Sequence, residues 1–189
     1  MTQYGPAELP TLLRAGEGPG TTTAHALDVF DSLPGVTPDA CIGRWRGSSL
    51  PTGHPLDGVL ESLGWWGKEF VDPETVHPLL FRAYAGDVVA LDPVPLLVRW
   101  LLRRPWLMRS RASRAAFAAV RPLLRTTEPK ARLRRVEYRG VISVCMIYDA
   151  LPILDVFRAV DPDTLLGLMD RRGMPRPFFF MLRRVPARH

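Results

Sequence analysis

The sequence predicts a mainly β fold with helical additions (α+β), in which about seven to nine strands close into a small antiparallel β-barrel with a helical or irregular arm. Short apolar segments separated by Gly, Pro and Asp turns are typical of sequential antiparallel strands. Glycines inside a strand segment, as at Gly43 and Gly47, are typical of close backbone approach or a barrel corner. The 189 residues are 47% hydrophobic, which is enough to build a sizeable core.

The first half of the chain predicts a tail, two short helices and four strands. A Gly- and Pro-rich tail covers residues 1–20, and a single domain follows over 21–189. Thr21–Thr23 supply capping hydroxyls for a helix that ends at Pro34 and Gly35. The apolar spacing then predicts a strand at 41–50, a short helix at 54–63, and strands at 65–71, 76–85 and 88–91.

The second half predicts an arm followed by a return to strands. Apolar and arginine-rich segments over 93–127 indicate one or two helices or an irregular arm. Arg139-Gly140 is typical of a hairpin turn between strands at 131–138 and 141–148. A short helix is predicted at 151–160 with Asp149 as its N-cap, and further strands at 164–170 and 177–185.

Charge is concentrated in one segment. The net charge is +6, and residues 99–139 hold 13 of the 25 basic residues but only two of the 19 acidic ones. This distribution, without a recognition motif, predicts no nucleic-acid partner. Two lone cysteines and the lack of a signal-like N-terminus predict a reducing, cytoplasmic location.

Several short motifs carry a resemblance to a known family. The run Gly43-Arg44-Trp45-Arg46-Gly47 resembles the signature of the GXWXG family, and the segments at 30–33, 55–57, 63–68 and 77–79 match its surroundings. The segments at 132–133, 137–140, 146–149, 152–158 and 170 resemble the domain of unknown function that usually accompanies it. The resemblance implies a GXWXG half over about 21–92, the arm over 93–127, and a C-terminal strand half over about 128–185.

A more distant similarity concerns the architecture. Gly-X-Trp near the start of a first strand resembles the opening of lipocalins and nitrobindin-like barrels. That resemblance implies a lipocalin-like barrel in which Trp45 closes one end and an arginine stacks on it. Fold alone does not imply an activity.

An apolar barrel interior favours binding of a hydrophobic small molecule, such as a lipid, an isoprenoid or a polyketide-like compound. A solid packed core is the alternative, because small barrels are often filled by their own side chains. Trp65 and Trp66 are adjacent in a strand, so we expect one of them inside. The candidate ligand-binding residues are Arg44, Trp45, Trp65, Trp66, Val144, Met146, Tyr148, Phe178 and Phe180.

A cofactor-free isomerase, cyclase or hydratase is the second hypothesis. Asp149 or Asp155 would act as acid or base, with Tyr148 as a proton donor and Asp170 near the same barrel mouth. The structural alternative gives Asp149 the helix cap, Asp155 an ion pair with Arg158, and Asp170 the end of a strand.

The sequence predicts no metal site and no cofactor. The four histidines have no i,i+3 or i,i+4 spacing, so a zinc site is not expected. Haem bound through His77 is a weaker alternative suggested by the nitrobindin-like resemblance. A third functional hypothesis is peripheral membrane contact through residues 94–125, where arginines alternate with apolar residues.

Overall fold

The computed structural model describes residues 20–83, 86–93 and 110–186. The predicted tail over 1–19 and the apolar part of the arm over 94–109 lie outside this range. The described helices are α1 (Thr23–Ser32), α2 (Pro38–Cys41), α3 (Val59–Ser62), α4 (Arg111–Val120) and a following 3-10 turn (Arg121–Leu124). The described strands are β1 (Gly43–Ser49), β2 (Trp65–Phe70), β3 (Val76–Arg82), β4 (Val88–Ala90), β5 (Ala131–Tyr138), β6 (Val141–Tyr148), β7 (Ile153–Asp161), β8 (Thr164–Arg171) and β9 (Phe178–Arg184).

These strands form one antiparallel sheet that closes on itself. Within the described residues its order is β2-β1-β9-β8-β7-β6-β5-β3-β4, and β2 also pairs with β3. Eight strands therefore make a closed barrel, and β4 is an addition on β3. The predicted mainly β barrel with short helices is confirmed. In the described parts of the chain, no helix is both long and apolar enough to cross a bilayer.

Two apolar clusters lie on the two sides of the barrel wall. The inner cluster lies inside the barrel and includes residues from all eight barrel strands. The outer cluster lies between α1 and the outer faces of β6 to β9, where Phe30 meets Phe179 with ring centroids 6.2 Å apart. Strands β6 to β9 are therefore buried on both faces, because α1 covers what would otherwise be a solvent face.

The predicted helix at 151–160 is wrong, because these residues form most of β7. Asp155 and Phe157 face the barrel interior, while Val156 packs in the outer cluster under α1. A strand buried on both faces loses its alternation of apolar and polar residues, so the spacing resembled that of a helix. The predicted helix at 54–63 is also shorter than expected and is helical only over Val59–Ser62.

Turn chemistry explains the hairpin between β5 and β6. Arg139 and Gly140 have positive φ angles of 52° and 76°. Positive φ at both central residues is the signature of the type I′ turn, whose twist matches that of the flanking strands. The hairpin predicted at Arg139-Gly140 is confirmed.

Glycines allow β1 and β2 to approach each other closely. Gly67 pairs with Arg46, and a Cβ on Gly67 would lie 1.9 Å from the Trp45 carbonyl oxygen. A Cβ on Gly47 would lie 2.2 Å from the Trp65 ring. The second glycine of the G-X-W-X-G run therefore makes room for an inward-facing tryptophan on the next strand.

We expect Gly67→Ala to lower the free energy of unfolding by about 3 kcal/mol, because the methyl group would collide with backbone atoms that cannot move away. Urea denaturation measures this change. Gly173→Ala is the matched control: its φ of +80° is also positive, but no atom lies within 4 Å of the added Cβ. The control should lose only about 1 kcal/mol, and equal losses in the two variants would contradict the close-approach argument.

A lysine–aspartate pair inside the barrel

Trp45 closes the end of the barrel at which β1 begins and β9 ends. Its indole Nε1 donates a 2.6 Å hydrogen bond to the Cys41 carbonyl, and its side chain is fully buried. The Arg184 guanidinium lies 4.2 Å from the centre of the indole ring and donates to the carbonyls of Ile42 and Ala40. The predicted arginine stacked on this tryptophan is therefore present. Its hydrogen bonds link the end of β9 to the residues just before β1.

Most of the predicted ligand-binding side chains meet in the inner cluster. Side chains alternate between the two faces of a strand, so these residues share the inner face of the barrel wall, while Trp66, the neighbour of Trp65, faces the outer side. Trp66 lies outside, where the Arg46 guanidinium is 5.8 Å from its ring. The candidates inside are Trp45, Trp65, Val144, Met146, Tyr148, Phe178 and Phe180.

Arg44 is placed differently from the expectation. It is exposed on the outer face of β1, where its Nε donates to the Glu69 carboxylate at 2.8 Å. Because Trp45 faces inward, its neighbour Arg44 must face outward. Arg44 is therefore part of a surface ion pair and not of the barrel interior.

Among the described residues, the interior contains one ion pair. Lys68 Nζ lies 2.8 Å from Asp155 Oδ2, and both side chains are no more than 3% exposed. Lys68 belongs to β2 and Asp155 to β7, and three strands separate β2 from β7 in either direction around the barrel. The ion pair therefore spans the interior and joins opposite walls.

Aromatic rings surround the ammonium group of Lys68. Nζ lies 5.1 Å from the ring centre of Phe180, 5.7 Å from that of Tyr148 and 5.9 Å from that of Trp65. It also donates a 3.2 Å hydrogen bond to the Pro78 carbonyl. Ring faces carry partial negative charge, so they stabilise a cation that has been removed from water.

Burial sets the protonation properties of this site. Desolvation raises the pKa of Asp155 above its ordinary value of 3.8, and the Lys68 ammonium opposes part of that increase. Burial, followed by the nearby Asp155 carboxylate, raises the pKa of Tyr148 well above 10. Tyr148 therefore stays a neutral phenol at neutral pH beside the pair.

Two polar atoms in this region have no hydrogen-bond partner among the described residues. They are Asp155 Oδ1, an acceptor, and Trp65 Nε1, a donor. A buried polar atom without a partner costs about 1–3 kcal/mol. Lys68 also has a third hydrogen beyond those directed at Asp155 and Pro78. The site therefore offers both an acceptor and donors to a small polar group.

The three aspartates of the catalytic hypothesis do not converge. Asp149 is at the surface in a 2.6 Å ion pair with Arg132. Asp170 is opposite Leu154 in the sheet and accepts a 3.2 Å hydrogen bond from the Tyr138 hydroxyl. Of the three, only Asp155 faces the interior: its neighbour Val156 on β7 packs on the outer side, and neighbours along a strand face opposite sides. Asp149 is not a helix cap, because no helix follows it.

The predicted pair of Asp155 with Arg158 is also wrong. Arg158 lies on the outer side of β7, where its guanidinium stacks 4.5 Å from the Phe30 ring of α1. Three residues along a strand separate two side chains onto opposite faces, whereas on the predicted helix they would have been neighbours. The partner of Asp155 comes from a strand far away in sequence.

His77 lies outside the barrel. It follows the inward-facing Val76 and is opposite Glu69, whose side chain binds Arg44 on the outer surface. The haem alternative therefore has no ligand from His77 inside the barrel. Among the described residues, no three His, Cys, Asp or Glu side chains come together in the way a metal ion requires.

Lys68 is the site residue that sequence reasoning missed. The chain has 25 basic residues, and only Lys68 and Lys130 are lysines. A lysine between the aromatic residues of a strand, in a chain that uses arginine at 23 of its 25 basic positions, was the available signal. Its partner could not be recognised, because residues 151–160 were predicted to be helical.

A pocket of about 170 Å³ lies at the opposite end of the barrel from Trp45, between the loop after β1 and the loop that joins β8 to β9. His54 and Met174 are among its lining residues, and the His54 ring centre is 5.6 Å from that of Phe178. Phe178 stacks on Phe180 at 6.2 Å, and Phe180 touches the Lys68 ammonium. A continuous row of rings therefore connects this pocket with the ion pair.

A closed antiparallel barrel with an aromatic plug and one polar pair in its apolar interior defines a lipocalin-like β-barrel protein. Residues 28–86 match the family model of the GXWXG proteins, and residues 129–184 match that of a domain of unknown function, DUF4334. The chain is thus similar to the GXWXG proteins over residues 28–86 and to DUF4334 over residues 129–184.

One solved structure resembles the whole barrel. The crystal structure of a protein from Thermomonospora curvata has a TM-score of 0.71 and 29% identity to this chain, and the match covers 96% of this chain and 98% of that one. Among curated proteins, no sequence matches.

We expect a double-mutant cycle to show strong coupling between the two charges. Lys68→Met or Asp155→Leu alone leaves an unpaired buried charge, and each should lower the free energy of unfolding by about 3–5 kcal/mol. The double variant Lys68→Met/Asp155→Leu removes both charges and should be within about 1 kcal/mol of the wild type. Urea denaturation measures all four proteins, and additive losses would show that the two charges do not depend on each other.

The pH dependence of stability follows from the raised pKa of Asp155. Between that pKa and the unfolded value near 3.8, the folded chain binds the extra proton, so the stability contributed by this group increases as the pH falls. The free energy of unfolding of the wild type, relative to Lys68→Met/Asp155→Leu, should therefore rise as the pH is lowered towards 4. Urea denaturation from pH 7 to pH 4 measures the difference, and a fall in that difference would mean that the attraction of Lys68 outweighs desolvation.

Proposed function

We propose that the chain binds a small, mostly apolar molecule with one polar group inside its barrel, and that the Lys68–Asp155 pair holds that group. The observation that carries the proposal is the buried pair itself, which faces the interior. Among the described residues, Asp155 Oδ1 and the nearby Trp65 Nε1 have no hydrogen-bond partner. A stable core needs neither charge, because apolar side chains of similar volume would pack there at least as well.

The surroundings of the pair define the rest of the ligand. Trp65, Tyr148 and Phe180 form the nearest walls, so a flat or branched apolar body would meet aromatic faces. Burial of apolar surface contributes about 25 cal/mol per Å², and this term would supply most of the affinity. An eight-stranded barrel has room for its own side chains and at most one small ligand. The ligand is therefore expected to be the size of one or two fused rings.

A matched pair of ligands tests the polar anchor. 2-Naphthol differs from naphthalene by a single hydroxyl group, which can donate to Asp155 Oδ1 and accept from Lys68. A hydrogen bond to a charged group contributes about 1.5–3 kcal/mol, so we expect 2-naphthol to bind at least about tenfold more tightly. Displacement of the apolar fluorescent dye N-phenyl-1-naphthylamine measures both affinities.

The double variant Lys68→Met/Asp155→Leu is the control for this experiment. It keeps the apolar walls and should bind both compounds with about equal affinity. Native mass spectrometry of gently purified protein, compared with the denatured chain, gives a second measurement. If neither compound displaces the dye and no additional mass accompanies the native chain, the binding proposal is wrong.

Acid–base catalysis is a second candidate function, and the raised pKa of the interior carboxylate Asp155 favours it. A carboxyl group of this kind can remove a proton from carbon next to a carbonyl, as an isomerase or a cyclase requires. The Lys68 ammonium lies 2.8 Å from Asp155, so it can stabilise the oxyanion that forms on the carbonyl oxygen of the substrate.

Proton exchange in a ring-sized ketone tests this second function. In D₂O the wild type should accelerate deuterium incorporation next to the carbonyl of 2-tetralone, and NMR follows the reaction. Asp155→Asn should reduce the protein-catalysed rate about 100-fold, because loss of a positioned base has an effect of that order. Asp149→Asn removes a surface carboxylate and should leave the rate unchanged. Equal rates in both variants would rule out Asp155 as the base.

A further inference from the structure

We propose that Lys68 is an amine nucleophile, and that the barrel captures flat apolar aldehydes or ketones by forming an imine with its Nζ. This inference rests on the proposed function, since it assigns the carbonyl class of ligand to the same interior site. The juxtaposition that supports it is a buried amine, a buried carboxylate 2.8 Å away and a wall of aromatic rings.

The type of cation at this position is the first argument. A guanidinium has no accessible neutral form, whereas an ammonium loses a proton readily when it is buried. Two other cations that pack on aromatic rings are arginines, the buried Arg158 over Phe30 and the half-buried Arg184 over Trp45. The interior cation is instead a lysine, which is the residue that can act as an amine.

The position of Asp155 is the second argument. Oδ2 contacts Nζ, so it can accept a proton from the ammonium and generate the neutral amine that attacks a carbonyl. Oδ1 is buried and has no hydrogen-bond partner in the described parts of the chain, so it can accept a hydrogen bond from the carbinolamine hydroxyl or from the released water.

The chemistry balances with these two groups alone. The Nζ–C bond forms as the carbonyl π bond breaks, and the carbonyl oxygen takes protons that Asp155 received from Lys68. Loss of that oxygen as water leaves a protonated imine on Lys68 and an ionised Asp155. One aldehyde and one ammonium therefore give one iminium ion and one water, and the carboxylate returns to its initial state. The iminium cation keeps the same counter-ion as the ammonium before it.

The interior favours the product. Water drives imine hydrolysis, and Lys68 is only 3% exposed. The aromatic rings stabilise the iminium cation as they stabilise the ammonium. A row of rings from His54 through Phe178 to Phe180 runs from the pocket at the end of the barrel opposite Trp45 to Nζ, and in this proposal a flat molecule enters along that row.

Reductive trapping tests the proposal in the full-length protein. The protein is incubated with 2-naphthaldehyde and sodium cyanoborohydride, and the intact mass and the modified peptide are determined by mass spectrometry. A trapped imine adds the mass of the aldehyde less one oxygen atom and survives denaturation. Lys130 is the other lysine in the sequence and lies at the surface in ion pairs with Asp92 and Glu128, so it serves as an internal reference.

We expect modification of Lys68 to be at least tenfold faster than that of Lys130 or of the N-terminal amine. Lys68→Arg keeps the buried cation but lacks an amine, and it should lose the fast adduct, whereas Lys130→Arg should retain it. Asp155→Asn should slow trapping, and circular dichroism reports whether each variant is folded. Excess 2-naphthol should protect Lys68, because it occupies the same site.

Modification only at Lys130 and the N-terminus, at the rates of free amines, would overturn the proposal. If 2-naphthol still displaces the dye in that case, the interior binding site remains and only the imine is excluded. If 2-naphthol also fails to bind, the binding proposal fails as well.

Discussion

Closure of the sheet is the constraint on which the rest of this structure depends. The pairing of β2 with β3 completes a ring of eight strands, and this ring turns one side of every strand into an enclosed, mainly apolar interior. Closure also brings β2 and β7 to opposite positions across a narrow space, which is the reason that Lys68 and Asp155 can meet. In an open sheet, strands separated by three others would hold these side chains far apart.

The ion pair is the least expected part of a small barrel core. Two buried charges are expensive to remove from water, and replacing such pairs with apolar residues often increases stability. The barrel tolerates the pair because the aromatic rings, the Pro78 carbonyl and the mutual attraction of the charges offset much of the desolvation. Within the described residues, Asp155 Oδ1 and Trp65 Nε1 remain without hydrogen-bond partners, which is uncommon for buried polar atoms.

The other polar candidates have structural roles. Asp149 and Arg44 belong to surface ion pairs, and Asp170 accepts a hydrogen bond from the hydroxyl of Tyr138 at the end of β5. Arg158 and Arg184 pack on aromatic rings, where their flat guanidinium groups fit well. These assignments concentrate the reactive chemistry of the described residues at the interior pair.

The sequence by itself determined the mainly β barrel architecture and the positions of most of the strands that form its wall. Turn residues marked the hairpins, alternation separated the two faces of β6 and β9, and the resemblance of the G-X-W-X-G run to the opening of lipocalins implied the plug at Trp45. These features are local, because a few neighbouring residues fix each of them. Tertiary structure decided that residues 151–160 form most of a strand rather than a helix. Helix α1 buries the outer face of this strand, so its sequence lacks the alternation of apolar and polar residues that marks a strand. Tertiary structure alone also decided the partner of Asp155, because Lys68 lies 87 positions earlier and reaches it only across a closed barrel.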